Sequence, residues 1–338
     1  MIFASIQVTD STGRTKMNPT LNSIMTFAVH WKRNFDLFLA IMLVWPWASS
    51  AQEMPASPPV QATPAAIIEA KKPDPKAHMW VVGMGGVLML GGSISWKFSK
   101  EWTGKYRLIN EGFFQKWTYA GGADKLGHMY TDYVLGRILN QVYQSYDYSA
   151  SDAVFYAWVN GSLIRAVMEF ADGFMTFKAS GGDLLFNMMG STVSALLLKN
   201  PDWDETFNFS WSYLPSQDVR KGRLDASSFS IDYSGMVFTW DTNLKGARKL
   251  AGAHYASWMD RYQIGVNYRT RYFRDPEKSK RQRIVGMSLG LNLEENLPES
   301  LPGKRIFKYW KVPYTSVGPS YNIDRNRFQF DAGLNYFF

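Results

Sequence analysis

The sequence predicts an α+β protein: an antiparallel β-sheet closing into a small barrel of about eight strands, with an insert of three main helices. Three observations carry this. The C-terminal third alternates polar and apolar residues, the middle repeats apolar residues at helical spacing, and the last segment alternates up to a terminal aromatic residue.

The bulk composition narrows the classes. The chain has 338 residues, 46% hydrophobic and 16% aromatic, enough for a sizeable core. A mean hydropathy of −0.23 excludes a chain that is mostly transmembrane helix. The net charge of +8 would suit nucleic acid or anionic lipid. No basic run is interleaved with aromatics, and Lys278–Arg283 (KSKRQR) reads as a loop, so no nucleic-acid partner is expected. The absence of cysteine rules out disulfides, thiolate metal sites, a cysteine nucleophile and a lipidation site.

Residues 1–51 read as a leader and signal peptide. Lys32 and Arg33 precede the apolar run FDLFLAIMLVWPWASSAQ, and Ser49 and Ala51 stand at the small positions before a cut. Met25 is an alternative start. Residues 52–76 are rich in Pro and Ala and read as an extended linker. For residues 77–104, Gly91-Gly92 followed by the alternating SISWKFS favours a first β-hairpin. The uncharged stretch 79–96 leaves a transmembrane helix as the alternative, weakened by its five glycines.

Residues 105–200 form the helical region. Apolar residues recur at helical spacing over 124–143, 152–170 and 183–198, and each stretch carries a second, polar stripe. Asp124, His128 and Asp132 share a face of the first. Arg165, Glu169 and Asp172 share a face of the second, and Asp183 and Asn187 one of the third. If these helices pack together, the stripes can converge. Each residue also has a plainer reading. Asp124 and Asp183 follow glycines and could cap their helices; Arg165 and Glu169 could be an i,i+4 ion pair; His128 could be a core histidine.

Asp124, His128, Glu169 and Asp183 are the candidate catalytic residues, with Lys125, Asp132, Arg165, Asp172 and Asn187 as the surrounding polar cluster. Carboxylates and one imidazole suit a hard or borderline divalent metal, although no recognised metal spacing is present. No cofactor is required by the sequence. His128 flanked by carboxylates could serve as a general base. No GxSxG elbow, Walker loop or HExxH motif supplies a recognised partner.

Residues 201–338 are expected to form the C-terminal antiparallel region, with strands near 207–215, 228–241, 260–273, 283–294, 313–324 and 327–338. The last of these, RFQFDAGLNYFF, places Phe328, Phe330, Ala332, Leu334, Tyr336 and Phe338 on one face. Its ending resembles the C-terminal signal of outer-membrane β-barrel proteins.

Three blocks resemble the uncharacterised bacterial family of predicted periplasmic lipoproteins, a domain of unknown function. They are Asp124-Lys125-Gly127-His128, then Glu169-Asp172-Gly173-Phe174, then Ser180-Asp183-Asn187-Gly190. NEGFF (110–114) and DYSG (232–235) extend the likeness. A wider similarity is to VanZ-like membrane proteins. The lipoprotein description departs from this chain, which has no cysteine to lipidate. The resemblance implies an envelope location and names no reaction. The expectation is therefore an exported protein of the outer membrane or membrane-associated periplasm, structural or assembly-related. Its expected partners are outer-membrane lipids and the barrel-assembly machinery. The rival expectation is an enzyme acting on lipid or cell-wall precursors through Asp124, His128, Glu169 and Asp183.

Overall fold

A computed structural model describes residues 7–9, 15–17, 72–95, 102–224, 230–252 and 254–332. The signal peptide, most of the linker and the final six residues of the C-terminal pattern lie outside them. Strands β1 (Gln7–Thr9) and β2 (Thr15–Met17) pair antiparallel near the N-terminus.

Residues 76–95 form helix α1 (Lys76–Ser95), not the expected hairpin. The glycines lower its intrinsic helix propensity, but tertiary packing overrides propensity. Ala77 and Val81, four apart, are buried against Leu135, Leu139 and Tyr143. Gly85 lets the helix approach Ile164, where a Cβ would stand 3.1 Å from that side chain. Among the described residues no helix is long and apolar enough to cross a membrane.

The three predicted helices are present as α2 (Ala123–Ser145), α3 (Ala150–Asp172) and α4 (Gly181–Lys199). Before them lies β3 (Leu108–Ile109), which pairs in parallel with β4 (Ala179–Ser180). Helices α2 and α4 pack closely because Gly190 has no side chain. A Cβ there would stand 2.1 Å from the Met129 carbonyl oxygen. At the start of α2, Gly121 and Gly122 adopt φ of +64° and +91°, a region that favours glycine.

All six C-terminal strands form: β5 (Phe207–Tyr213), β6 (Met236–Asn243), β7 (Tyr262–Arg271), β8 (Gln282–Leu291), β9 (Ser316–Asn322) and β10 (Arg327–Ala332). They make one antiparallel meander in sequence order. The expected count of eight is corrected to six in this sheet, because the N-terminal hairpin is a helix. Among the described residues β5 and β10 do not pair. The β5 edge is partly covered by 309–311. There Trp211 N–H donates to the Tyr309 carbonyl at 2.8 Å, and Lys311 N–H donates to the Trp211 carbonyl at 2.9 Å.

The two faces of this sheet are inverted relative to a water-soluble protein. One face carries Phe209 and Tyr213, then Met236 and Phe238, then Ile264 and Val266, then Val285, Met287 and Leu289, then Phe328 and Phe330. Its β5–β6 part packs on α2 through Leu126, Tyr130 and Tyr133. The helical unit thus sits on the apolar face. The β7–β10 part is exposed: Val266 is 54% exposed, Met287 61%, Phe328 78% and Phe330 69%.

The opposite face is polar and buried. Asn208, Asp241, Asn267, Arg269 and Asp331 lie on it, all nearly inaccessible. Arg269 on β7 donates to Ser320 on β9 and pairs with Asp331 on β10. On a flat sheet strands three apart are separated by about 14 Å, beyond the reach of an arginine. The sheet must therefore curl around this pair. The inner residues of β8 and β9 permit the curl because they are small: Gly286, Ser288 and Gly290 against Ser316, Gly318 and Ser320. A second ion pair, Lys311 with Asp241 at 2.6 Å, fills the same interior.

Because Arg269 and Asp331 are buried together, removing one strands the other. Arg269→Met should cost about 3–5 kcal/mol in denaturant unfolding, while Arg269→Met with Asp331→Leu should recover most of that. An unchanged single variant would contradict the curled interior.

Candidate functional site

The short parallel pairing of β3 with β4 brings three segments together. Ile109 lies opposite Ser180. Two residues beyond Ile109 comes Glu111, and three beyond Ser180 comes Asp183. The start of α2 delivers Asp124 and Lys125 to the same point.

There the ammonium of Lys125, 1% exposed, is held by three carboxylates. Its Nζ lies 2.6 Å from Asp183 Oδ1, 2.7 Å from Glu111 Oε2 and 2.9 Å from Asp124 Oδ2. Burial pulls the Lys125 pKa down, but Asp124 and Asp183 outweigh it and hold the ammonium charged. Burial pushes the Asp124 carboxyl up, against the pull of Lys125.

His128 sits one helical turn further on. Its Nδ1 is 3.0 Å from Asn187 Oδ1, and its Nε2 is 3.4 Å from Asp183 Oδ1. Burial first, then the Arg165 guanidinium, push its pKa down to about 3, so the ring is neutral. A neutral imidazole donates through one nitrogen only and satisfies one of these two acceptors. Arg165 binds Asp132 at 2.9 Å and reaches Asn187 Oδ1 at 3.3 Å. Burial outweighs that guanidinium and pushes the Asp132 carboxyl up to about 7.

The structure thus brings Asp124, Lys125, His128, Asp132, Arg165, Asp183 and Asn187 into one connected network. Glu169 borders it: its Oε1 accepts the Ser180 N–H, and burial pushes its carboxyl up to about 7, against that N–H. Burial pushes the Asp172 carboxyl up to about 6, against the nearby Arg165 guanidinium.

Three of the plainer readings are corrected. Neither aspartate is the cap of its helix: the residue before α2 is Gly122, with no side-chain cap, and Ser180 Oγ accepts the Asp183 N–H at 3.3 Å. Arg165 turns to Asp132 instead of pairing with Glu169, because a buried aspartate across the helix interface needs a cation more than a glutamate already bonded to backbone. Sequence reasoning missed Glu111 as a member. The NEGFF block contained it, but only the β3–β4 pairing, two residues long, brings it to Lys125.

Chemically, the arrangement is closed. Glu111, Asp124 and Asp183 each offer an oxygen within 4.8 Å of the others, a grouping able to hold a metal ion. The Lys125 ammonium already occupies the point on which they converge, so a divalent ion would have to displace it; the residues fit a metal poorly. A serine- or threonine-type nucleophile mechanism with His128 as base would need a hydroxyl bonded to it. The nearby Thr131 Oγ1 donates back to its own helix, to the carbonyls of Gly127 and His128. A cleft of about 410 Å³ is lined by none of the predicted site residues.

Residues 110–199 match the family model described as predicted periplasmic lipoprotein (DUF2279). The matched stretch runs from the residue before Glu111 to the end of α4 and contains the whole network. No curated protein and no solved structure matches the chain.

If Lys125 serves as the internal cation, Lys125→Ala should lose about 3–5 kcal/mol and become metal-responsive. Mn²⁺ should raise the melting temperature of the variant but not of the wild type; equal responses would contradict this role. Glu169 sets a pH dependence. Its folded pKa, about 7, lies above its ordinary value of 4.5. Across that window the native state keeps a proton that the unfolded chain has released, so stability falls as pH rises. Glu169→Gln should lessen the fall of melting temperature between these pH values, leaving the share due to Asp132 and Asp172, and an unchanged slope would exclude a contribution from Glu169.

Proposed function

We propose that this chain is an exported cell-envelope protein with a structural or assembly role, seated in the outer membrane through its sheet and carrying no catalysis. One observation carries the reading: the exposed face of β7–β10 is apolar, while the enclosed face holds ion pairs and amides. Lipid rewards that inversion and water penalises it. The outward face of the helical unit extends the apolar surface, with Phe155, Leu163 and Phe170 on α3 and Leu185, Met188 and Leu196 on α4 exposed. The family description supports a periplasmic, membrane-associated location.

A sheet in lipid needs its edges paired. The barrel-like C-terminal ending, and delivery by the barrel-assembly machinery, belong to this proposal. The likeness to VanZ-like proteins rests on the sequence blocks alone. The enzymatic alternative is disfavoured by the closed cradle around Lys125, whose ammonium engages all three neighbouring carboxylates.

Membrane separation tests the reading. The protein should fractionate with the outer membrane, resist alkaline carbonate extraction and migrate differently on a gel before and after boiling. Release by osmotic shock as a soluble protein would contradict it, and would mean that another protein covers the apolar face.

A further inference from the structure

The connections after β5, β7 and β9 lie together at one end of the sheet, because successive strands alternate in direction. Ion pairs tie them into one rim. Arg223, after β5, holds Asp275, after β7, at 3.1 Å, and Arg283 on β8 holds Asp324, after β9, at 2.8 Å. Residues 114–121, before α2, are fastened to the same rim. The Arg283 guanidinium donates to the Phe114 carbonyl at 2.6 Å, and Lys116 Nζ donates to the Ser279 carbonyl at 3.3 Å.

Charge on this rim is left over on one side only. Its carboxylates among the described residues are all engaged: Asp218 and Asp275 by Arg223, Glu277 by Lys280, Asp324 by Arg283, and Asp232 by the Ser216 N–H. Arg220, Lys221, Lys278, Arg325 and Arg327 are exposed, and none of them forms an ion pair among the described residues. The connections at the other end, after β6 and β8, are closer to balance. There Lys245 pairs with Glu295, Arg248 with Asp260 and Lys304 with Glu299. Arg261 and Arg305 stand without a carboxylate, offset in part by Glu294, which makes no ion pair.

Aromatic side chains stand among the unpaired cations. Trp117, next to Lys116, is 79% exposed, and Phe113 and Tyr119 are exposed as well. Arg274 donates to the Tyr119 hydroxyl and lies 4.4 Å from the centre of its ring. The outward apolar face begins directly beside the rim, since exposed Phe328 follows Arg327 on β10. Tryptophan and tyrosine gather where hydrocarbon meets headgroups, and lysine and arginine reach from there to the charged layer. Apolar strand, aromatic ring and unpaired cation thus follow one another in the order of a bilayer surface.

We propose that this rim docks on the anionic phosphate headgroups of a phospholipid bilayer, with Arg220, Lys221, Lys278, Arg325 and Arg327 meeting the phosphates and Trp117 lying at headgroup level. The inference rests on the membrane reading above, because it takes the adjoining apolar face to lie in lipid. It adds a selectivity for anionic lipid, confined to this end of the sheet.

The test uses the full protein reconstituted in phosphatidylcholine bilayers that carry a trace of spin-labelled phosphatidylcholine or spin-labelled phosphatidylglycerol. Lipid held against the protein gives a motionally restricted spectral component. Its absence with both labels would overturn the membrane reading and this inference with it. With the component present, phosphatidylglycerol should be favoured about fivefold, the worth of roughly one basic residue at an anionic surface. The preference should fade in about 1 M salt, where charges are screened within about 3 Å. Arg220→Gln, Lys221→Gln, Lys278→Gln, Arg325→Gln and Arg327→Gln together should abolish it, with the phosphatidylcholine component and the melting temperature unchanged. Arg325→Gln with Arg327→Gln should lower it in part, which keeps the test valid if the larger variant fails to fold. Arg261→Gln with Arg305→Gln, at the other end, should leave it intact. Equal affinity for the two lipids, a preference that survives the rim substitutions, or one lost on substituting Arg261 and Arg305 would overturn the proposal and leave the membrane reading standing.

Discussion

Each strongly buried cation of the two networks in this chain is held against an anion, and the rest of the fold is arranged to keep it so. Lys125 sits among three carboxylates, Arg165 faces Asp132, Arg269 faces Asp331 and Lys311 faces Asp241. A buried charge without its partner is costly, so these pairs fix positions more than they add stability. Lys125 pins the β3–β4 pairing to the start of α2. Arg165 pins α3 to α2 and, through Asn187, to α4. Arg269 obliges four strands to curl together.

The pairs lie inside because the outside is apolar. On the sheet, period-two alternation separates Val285, Met287 and Leu289 from Gly286, Ser288 and Gly290, and the apolar set faces out. On the helices, the same division places Asp124, His128 and Asp132 inward and leaves Phe155 and Leu163 outward. Both halves of the molecule follow one rule, and the helical unit joins the sheet by covering the apolar strip of β5–β6.

Much of this was legible in the residues. Local periodicity specified α2, α3, α4 and all six C-terminal strands, because each depends on spacing along a single segment. The convergence of the three polar stripes followed from helix geometry once the helices packed. What failed depended on tertiary context. The glycine-rich stretch before residue 96 reads as a hairpin from its turn and alternation, yet Ala77, Val81 and Gly85 dock it as a helix on α2 and α3. Glu111 was invisible as a site residue because a two-residue bridge carries it there. The cation at the centre was read as a flanking residue, whereas its position makes a metal or catalytic reading of the surrounding carboxylates poor.

The central claim is that the sheet presents its apolar face to lipid. The chain has no cysteine, so single cysteines placed one at a time from 284 to 290 on β8 can carry a spin label in native membranes. The account predicts that collision with dissolved oxygen is high at 285, 287 and 289 and low at 284, 286, 288 and 290, with little access for a water-soluble paramagnet on either set. High access of the water-soluble reagent at 285, 287 and 289 would contradict it.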